Sequence, residues 1–223
     1  TPEPNWPSLF HELLERNNLD HTLIRLTISR GVGGHGPDPT TCQNPTVVIF
    51  PRPLPQLSSG QRKRGVDLLI TKTRRHSGLA LPQQLKSLNY LNNILAKQEA
   101  LSAQVFDGVM LNLDGYLAEC STSNLFFVKK NKLYTPSFEC GILPGITRGI
   151  VIEIAKSEGI GVEEGSYRPE DLSQIEECFL TNVGFGILPV ETIETCQFQS
   201  GNADSLTRKL QARYESIITE HHS

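Results

Sequence analysis

Four short pieces of this chain carry residue types that could do chemistry together. The first is "QLKSLNYLNNILAKQEA", residues 84–100. Leu88, Leu91 and Leu95, with Ile94 beside them, recur at helical spacing, which predicts an amphipathic helix with one apolar face. Lys86 opens it, set between Leu85 and that face. Desolvation and the positive end of a helix both disfavour an ammonium ion, so the pKa of such a lysine is expected to fall. A neutral amine is what Schiff-base chemistry requires. The plainer reading is a lysine whose stem lies along the core edge while its head stays in water.

The second piece is Glu119 in "GYLAECSTSNLFF", next to the hydroxyls of Ser121, Thr122 and Ser123. It is either a solvated glutamate at a strand edge or a carboxylate facing a protonated ring nitrogen, and burial would demand a cation or hydrogen-bond donors. The third is "LPGITRGIVIEIA", 143–155, a Pro-Gly turn followed by Thr147 and a helix. Free amides and the dipole at such a terminus can cradle phosphate, although an N-terminus with no ligand has the same pattern. The fourth is "FLTNVGFGILPV", 179–190, where a strand breaks at Asn182-Val183-Gly184 and resumes. Amides in such a bend can bind an anion. A Schiff-base lysine, a carboxylate for a pyridinium and two phosphate-binding turns are together the parts that pyridoxal 5'-phosphate needs.

The elements that must position these pieces are legible in outline. Residues 8–19 read as a helix, 21–29 as a strand, and the Gly- and Pro-rich 31–39 as a loop. "PTVVIF", 45–50, is a continuous apolar run and is expected to be a buried strand. Three prolines followed by Ser-Ser-Gly make 51–60 the linker. It separates the remainder of a small N-terminal domain (1–50) from a larger domain (61–223). In the latter a strand is expected at 66–72, a hairpin turn at Asp114-Gly115 and another at Lys130-Asn131. Helices follow at 147–158, 169–175 and about 204–220, with strands from "IGVEEGS", "CFLTN" and "GILPVETI" between them. Helices scattered among hairpin strands point to an α+β domain.

Composition narrows the function classes. The chain has 223 residues and a net charge of -3, which argues against nucleic acid or an anionic membrane as main partner. No apolar run approaches the roughly 20 residues of a membrane span, and no signal-peptide order opens the chain. Five cysteines with no CxxC pair read as reduced thiols in a cytoplasm, and six histidines without HxxxH spacing give no metal site. The first residue is Thr1 rather than Met, so a segment ahead of it is expected to be missing.

In this order the pieces resemble fold-type IV pyridoxal-phosphate enzymes, the class-IV aminotransferase family. "LKSLNYLNNILAKQEA", "DGYLAECSTSNLFFV", "LYTP" and "LPGITR" carry the resemblance, which covers about residues 8–195. It implies a two-domain fold-type IV architecture lacking part of its N-terminal domain, including an arginine that grips phosphate. It also implies a homodimer and a small-molecule amine substrate. Lys86 would hold the cofactor and later shuttle the proton, Glu119 would keep the pyridine nitrogen protonated, and Leu143 would pack on the ring. Ile146 and Thr147 would bind phosphate with backbone help from Asn182 and Val183. His35 and Tyr90 would meet substrate. "LTISRGVGGHG" resembles the loop of aminodeoxychorismate lyases, with His35 where an arginine is common, and Val183 replaces a threonine of the aminotransferases. The resemblance therefore implies an aminodeoxychorismate lyase in folate-precursor synthesis. The alternatives are an aminotransferase for D-amino or branched-chain amino acids and a truncated relative that binds cofactor without turnover.

Overall fold

A computed structural model describes residues 4–220, as two compact units divided between Gln56 and Leu57. In the N-terminal unit α1 (Trp6–Asn17) starts where the Asn5 side chain accepts from Ser8 N, and ends on Asn18 in the left-handed region. β1 (Leu23–Ser29) pairs antiparallel with β2 (Thr46–Arg52), and a short 3-10 turn, Pro39–Thr41, interrupts the loop between them. The expected burial of the second strand is corrected. Val47, Val48 and Phe50 are all exposed. Their β-branched and aromatic character selects extended backbone, but a two-stranded ribbon has too few neighbours to cover both faces. The second strand runs on to Arg52, which pairs with Leu23, two residues into the stretch read as linker.

The C-terminal unit begins with α2 (Ser59–Lys63), opened by a reciprocal Ser58–Gln61 capping box. There follow β3 (Val66–Ile70), α3 (Leu91–Ser102), β4 (Asp107–Leu111), β5 (Leu117–Cys120), β6 (Asn124–Lys129) and β7 (Lys132–Pro136). After them come α4 (Ile146–Ser157), β8 (Val162–Gly165), β9 (Glu177–Asn182), β10 (Gly186–Ile193), β11 (Cys196–Gln197) and α5 (Leu206–Glu220). The sheet order is β5-β4-β3-β10-β9-β6-β7-β8, with β11 on β10. β3 is parallel to both β4 and β10, while the β4/β5, β6/β7 and β9/β10 pairs are antiparallel.

Alternation along the strands builds two cores. Leu125 and Phe127 of β6 join Cys178 and Leu180 of β9 and Leu188 and Val190 of β10 on one face. Phe126 and Val128 turn the other way with Phe179, against Val151 and Ala155 of α4 and Leu210 and Tyr214 of α5. Phe126 and Phe179 stack at 4.9 Å. Burying each such side chain contributes roughly 1.5–3 kcal/mol, and a one-residue slip would exchange the two faces. This fixes the register that places Asn124 beside Thr181.

The turns follow their local chemistry. Lys130 and Asn131 both have positive φ, 51° and 56°, which suits a two-residue hairpin. At the other hairpin Asn112 Oδ1 accepts from Asp114 N and Tyr116 N, at 3.0 and 2.9 Å. The lysine segment departs from expectation. α3 starts at Leu91, so Lys86 precedes the helix by a full turn and lies in an irregular stretch. Ser87 Oγ accepts from Asn89 N at 3.4 Å, a local bond that competes with helical backbone. The apolar face is inverted as well: Ala96 and Ala100 are buried, while Leu91, Ile94 and Leu95 are exposed. Small side chains let α3 approach β4 closely; the leucines point elsewhere.

Candidate active site

Glu119, on β5, is 5% exposed, and each of its oxygens is held. Oε1 lies 3.0 Å from Arg75 Nη2. Oε2 accepts from Leu143 N at 2.9 Å and from Asn124 Nδ2 at 3.1 Å. Asn124 Nδ2 also donates to Leu143 O at 2.9 Å. One amide group of β6 thus ties the carboxylate to the segment that opens α4. Gly145 is required there, because a Cβ would sit 2.1 Å from Asn124 Oδ1.

Arg75 is buried too. Its Nε donates to Gly141 O at 2.9 Å and its Nη1 to Asn93 Oδ1 at 3.1 Å. It arrives on the segment after β3, fixed by Glu99 of α3, which accepts from Lys72 N at 2.6 Å and from Thr73 N at 2.9 Å. Burial pushes the Glu119 carboxyl up to about 7, against the opposing pull of Arg75 and the Leu143 N–H bond; the charges of Lys86 and Arg148 act in the same lowering sense. A carboxyl so poised would gain from a further cationic N–H donor.

α4 starts at Ile146 behind Gly145, which has no side chain to cap its amides. Thr147 is buried in that first turn and Ile146 is exposed. Arg148, also buried, donates to Glu164 Oε2 at 2.6 Å and to Pro136 O at 3.1 Å, and lies over the Phe138 ring. Its Nε and the Thr181 Oγ1 are buried polar atoms with no partner among the described residues. The β9–β10 turn follows Thr181. There Asn182 Nδ2 donates to Thr122 O, Asn182 Oδ1 accepts from Gly184 N at 2.7 Å, and Val183 is 65% exposed.

Lys86 is exposed, as are Leu85 and Leu88 on either side of it. The burial and the helix terminus expected at Lys86 are therefore both lacking. Its Nζ donates to Tyr90 Oη at 3.4 Å, a long bond that brings two of the expected residues together. Glu119, Leu143 and the start of α4 form a second connected group. His35 belongs to the N-terminal unit, exposed in the loop between β1 and β2, and is not among the residues that the C-terminal unit brings together. Sequence reasoning missed Arg75, Asn124 and Arg148. Asn124 directly follows the noted Ser-Thr-Ser, and Arg148 directly follows Thr147, so both adjacencies were available signals. Arg75 carries none, since Arg74 beside it is the exposed one.

With this geometry in hand, comparison with known proteins places the chain. The model of the class IV amino-transferase family matches residues 1–193, and the chain belongs to that family of enzymes. It is 37% identical over 209 residues to a putative branched-chain-amino-acid aminotransferase of Methanocaldococcus jannaschii, covering 94% of this chain and 72% of that one. It is 35% identical over 212 residues to the aminodeoxychorismate lyase of Bacillus subtilis, covering 94% and 71%. Its structure is similar to the branched-chain amino acid aminotransferase of Thermobaculum terrenum in its PLP form, with a TM-score of 0.82 and 28% identity over 95% of this chain and 69% of that one. The expected α+β, fold-type IV class holds. Among the described residues no helix is long and apolar enough to cross a membrane.

Proposed function

We propose that the chain is a pyridoxal-phosphate-dependent enzyme acting on a primary amine, and specifically an aminodeoxychorismate lyase. The observation that carries the cofactor reading is the Glu119 centre. A carboxyl buried to this depth, held by Arg75 and an amide and poised at about 7, fits a pyridinium N–H. The unpartnered Thr181 Oγ1 and Arg148 Nε, near the bend and on the first turn of α4, fit a polar ligand group at those turns. When bound, the cofactor supplies an electron sink for the carbon that bears the amine.

This chain's residues do the rest. Glu119 holds the ring nitrogen protonated, and Arg75 keeps the carboxylate from turning away. Leu143 packs against the ring. Ile146, Thr147 and the amides around Asn182 and Val183 hold the phosphate. Lys86 binds the cofactor through its amine. It would also move the proton at the substrate ring carbon that carries nitrogen, with Tyr90 at its side. Tyr90 meets the substrate. The C–O bond to the enolpyruvyl group then breaks, that group leaves as pyruvate after gaining a proton, and 4-aminobenzoate remains.

The lyase reading is supported by the 35% identity to the Bacillus subtilis enzyme and by Val183, which offers no hydroxyl to an amino acid's α-carboxylate. A second reading, aminotransfer from branched-chain amino acids, is favoured by the 37% identity to the archaeal relative. Incubation of the cofactor-loaded protein decides. Release of 4-aminobenzoate and pyruvate from 4-amino-4-deoxychorismate is expected. New amino acids from 2-oxoglutarate and an amino donor, with no 4-aminobenzoate, would establish the second reading; cofactor binding with no product from either would leave a non-catalytic relative. The proposal includes a cytoplasmic homodimer, supported by the exposed leucine face of α3, and gel filtration at twice the chain mass tests it.

A further inference from the structure

The Asn182 side chain does something that a phosphate ligand contributing only backbone would not do. Its Oδ1 accepts from Gly184 N at 2.7 Å, closing a turn within its own bend. Its Nδ2 reaches across to Thr122 O, sixty residues earlier, in the turn that joins β5 to β6. That second turn is the one that follows Glu119 and precedes Asn124. Asn93 Nδ2 holds it at Ser121 O, 2.7 Å away, and Ser121 Oγ donates to the buried Asp107 at 2.6 Å. The bend itself is fixed on its far side by Gly186, where a Cβ would lie 2.8 Å from the Tyr214 ring. The β9–β10 bend is therefore not a free loop. It is bolted through one amide side chain to the frame that carries Glu119.

We propose that Asn182 is a positioning residue: its side chain joins the two turns at a fixed separation and so sets the β9–β10 bend to accept the cofactor's phosphate. The inference rests on the pyridoxal-phosphate reading above and deepens it. Oδ1 occupies the Gly184 amide, which leaves Val183, exposed between the two, to present its own amide to a dianion. A bend freed from Thr122 would have to pay conformational entropy on meeting the anion. The ring end of the cofactor, held at Glu119, would not notice.

Comparing pyridoxal 5'-phosphate with pyridoxal, which lacks the phosphate, separates this role from general damage. Dissociation constants for both are measured with native protein, Asn182→Ala and Asn182→Ser. The serine can still accept from Gly184 N but is too short to reach Thr122 O. Both variants are expected to bind pyridoxal 5'-phosphate about tenfold more weakly, with pyridoxal affinity changed less than about twofold. Equal weakening for the two ligands, or none for either, would overturn the inference, as would Asn182→Ser matching native protein. Native protein that binds pyridoxal as tightly as its phosphate would instead sink the phosphate site itself, and this inference with it.

Discussion

The two halves of the candidate active site are built to opposite standards. Around Glu119 a buried carboxylate meets a buried guanidinium, a backbone amide and an asparagine, and those partners are held in turn by Gly141, Asn93 and Leu143. Around Lys86 the segment is irregular and exposed, and the amine has one long bond to Tyr90. The difference teaches which half the protein chain organises unaided. A charged group taken out of water must arrive with its partners in place, because an orphaned one costs several kcal/mol. An exposed amine carries no such cost, so its segment needs no buried partners to hold it.

The comparison can be broken most forcefully at the loose half. Lys86→Ala is expected to lower turnover by about 10³-fold or more while the unfolding midpoint of the cofactor-free protein stays within about 2 °C, since an exposed side chain holds little together. A large loss of stability would show that the segment is better organised than its exposure implies. Arg75→Leu should do the reverse, costing about 3 kcal/mol of unfolding free energy in denaturant titrations at neutral pH, because Glu119 is left buried without its cation. A loss below about 1 kcal/mol would mean that the pair is replaceable.

The same carboxyl gives a pH signature. Its folded pKa, about 7, lies above the ordinary 4.5. Its contribution to stability is thus fully present below about pH 4.5 and is lost as pH rises through about 7, a change on the order of 3 kcal/mol. Cofactor-free Glu119→Gln should lack that slope, and an identical slope in both proteins would assign it elsewhere. The smallest effect is expected at the start of α4. Thr147→Val should weaken cofactor affinity by about 1.5–3 kcal/mol, with turnover at saturating cofactor nearly unchanged. Unchanged affinity would remove the hydroxyl from the phosphate site.

How far the sequence speaks for this molecule depends on whether a feature is local. The Lys130-Asn131 and Asp114-Gly115 turns, α4 and α5 are written in adjacent residues, through positive-φ preferences and helical periodicity, and appear near where those signals place them. The period of Leu88, Leu91 and Leu95 predicts a helix that opens at Lys86; Ser87 and Asn89 carry the opposing signal, and α3 starts at Leu91. Arg75 was illegible for another reason. Nothing in Arg74-Arg75 says which side chain turns inward, since the choice depends on Glu119, 44 positions later, and on Gly141. β2 is illegible in the same way: an apolar run specifies what could be covered, not whether anything covers it.

The central claim is that the buried Glu119 centre and the exposed lysine serve one cofactor. Borohydride reduction of the protein loaded with pyridoxal 5'-phosphate, followed by peptide mass analysis, tests it most directly. The account predicts one phosphopyridoxyl group per chain, on Lys86, with markedly less incorporation in Glu119→Gln. Label spread over surface lysines such as Lys72 and Lys156, or label on Lys86 that ignores Glu119, would contradict it.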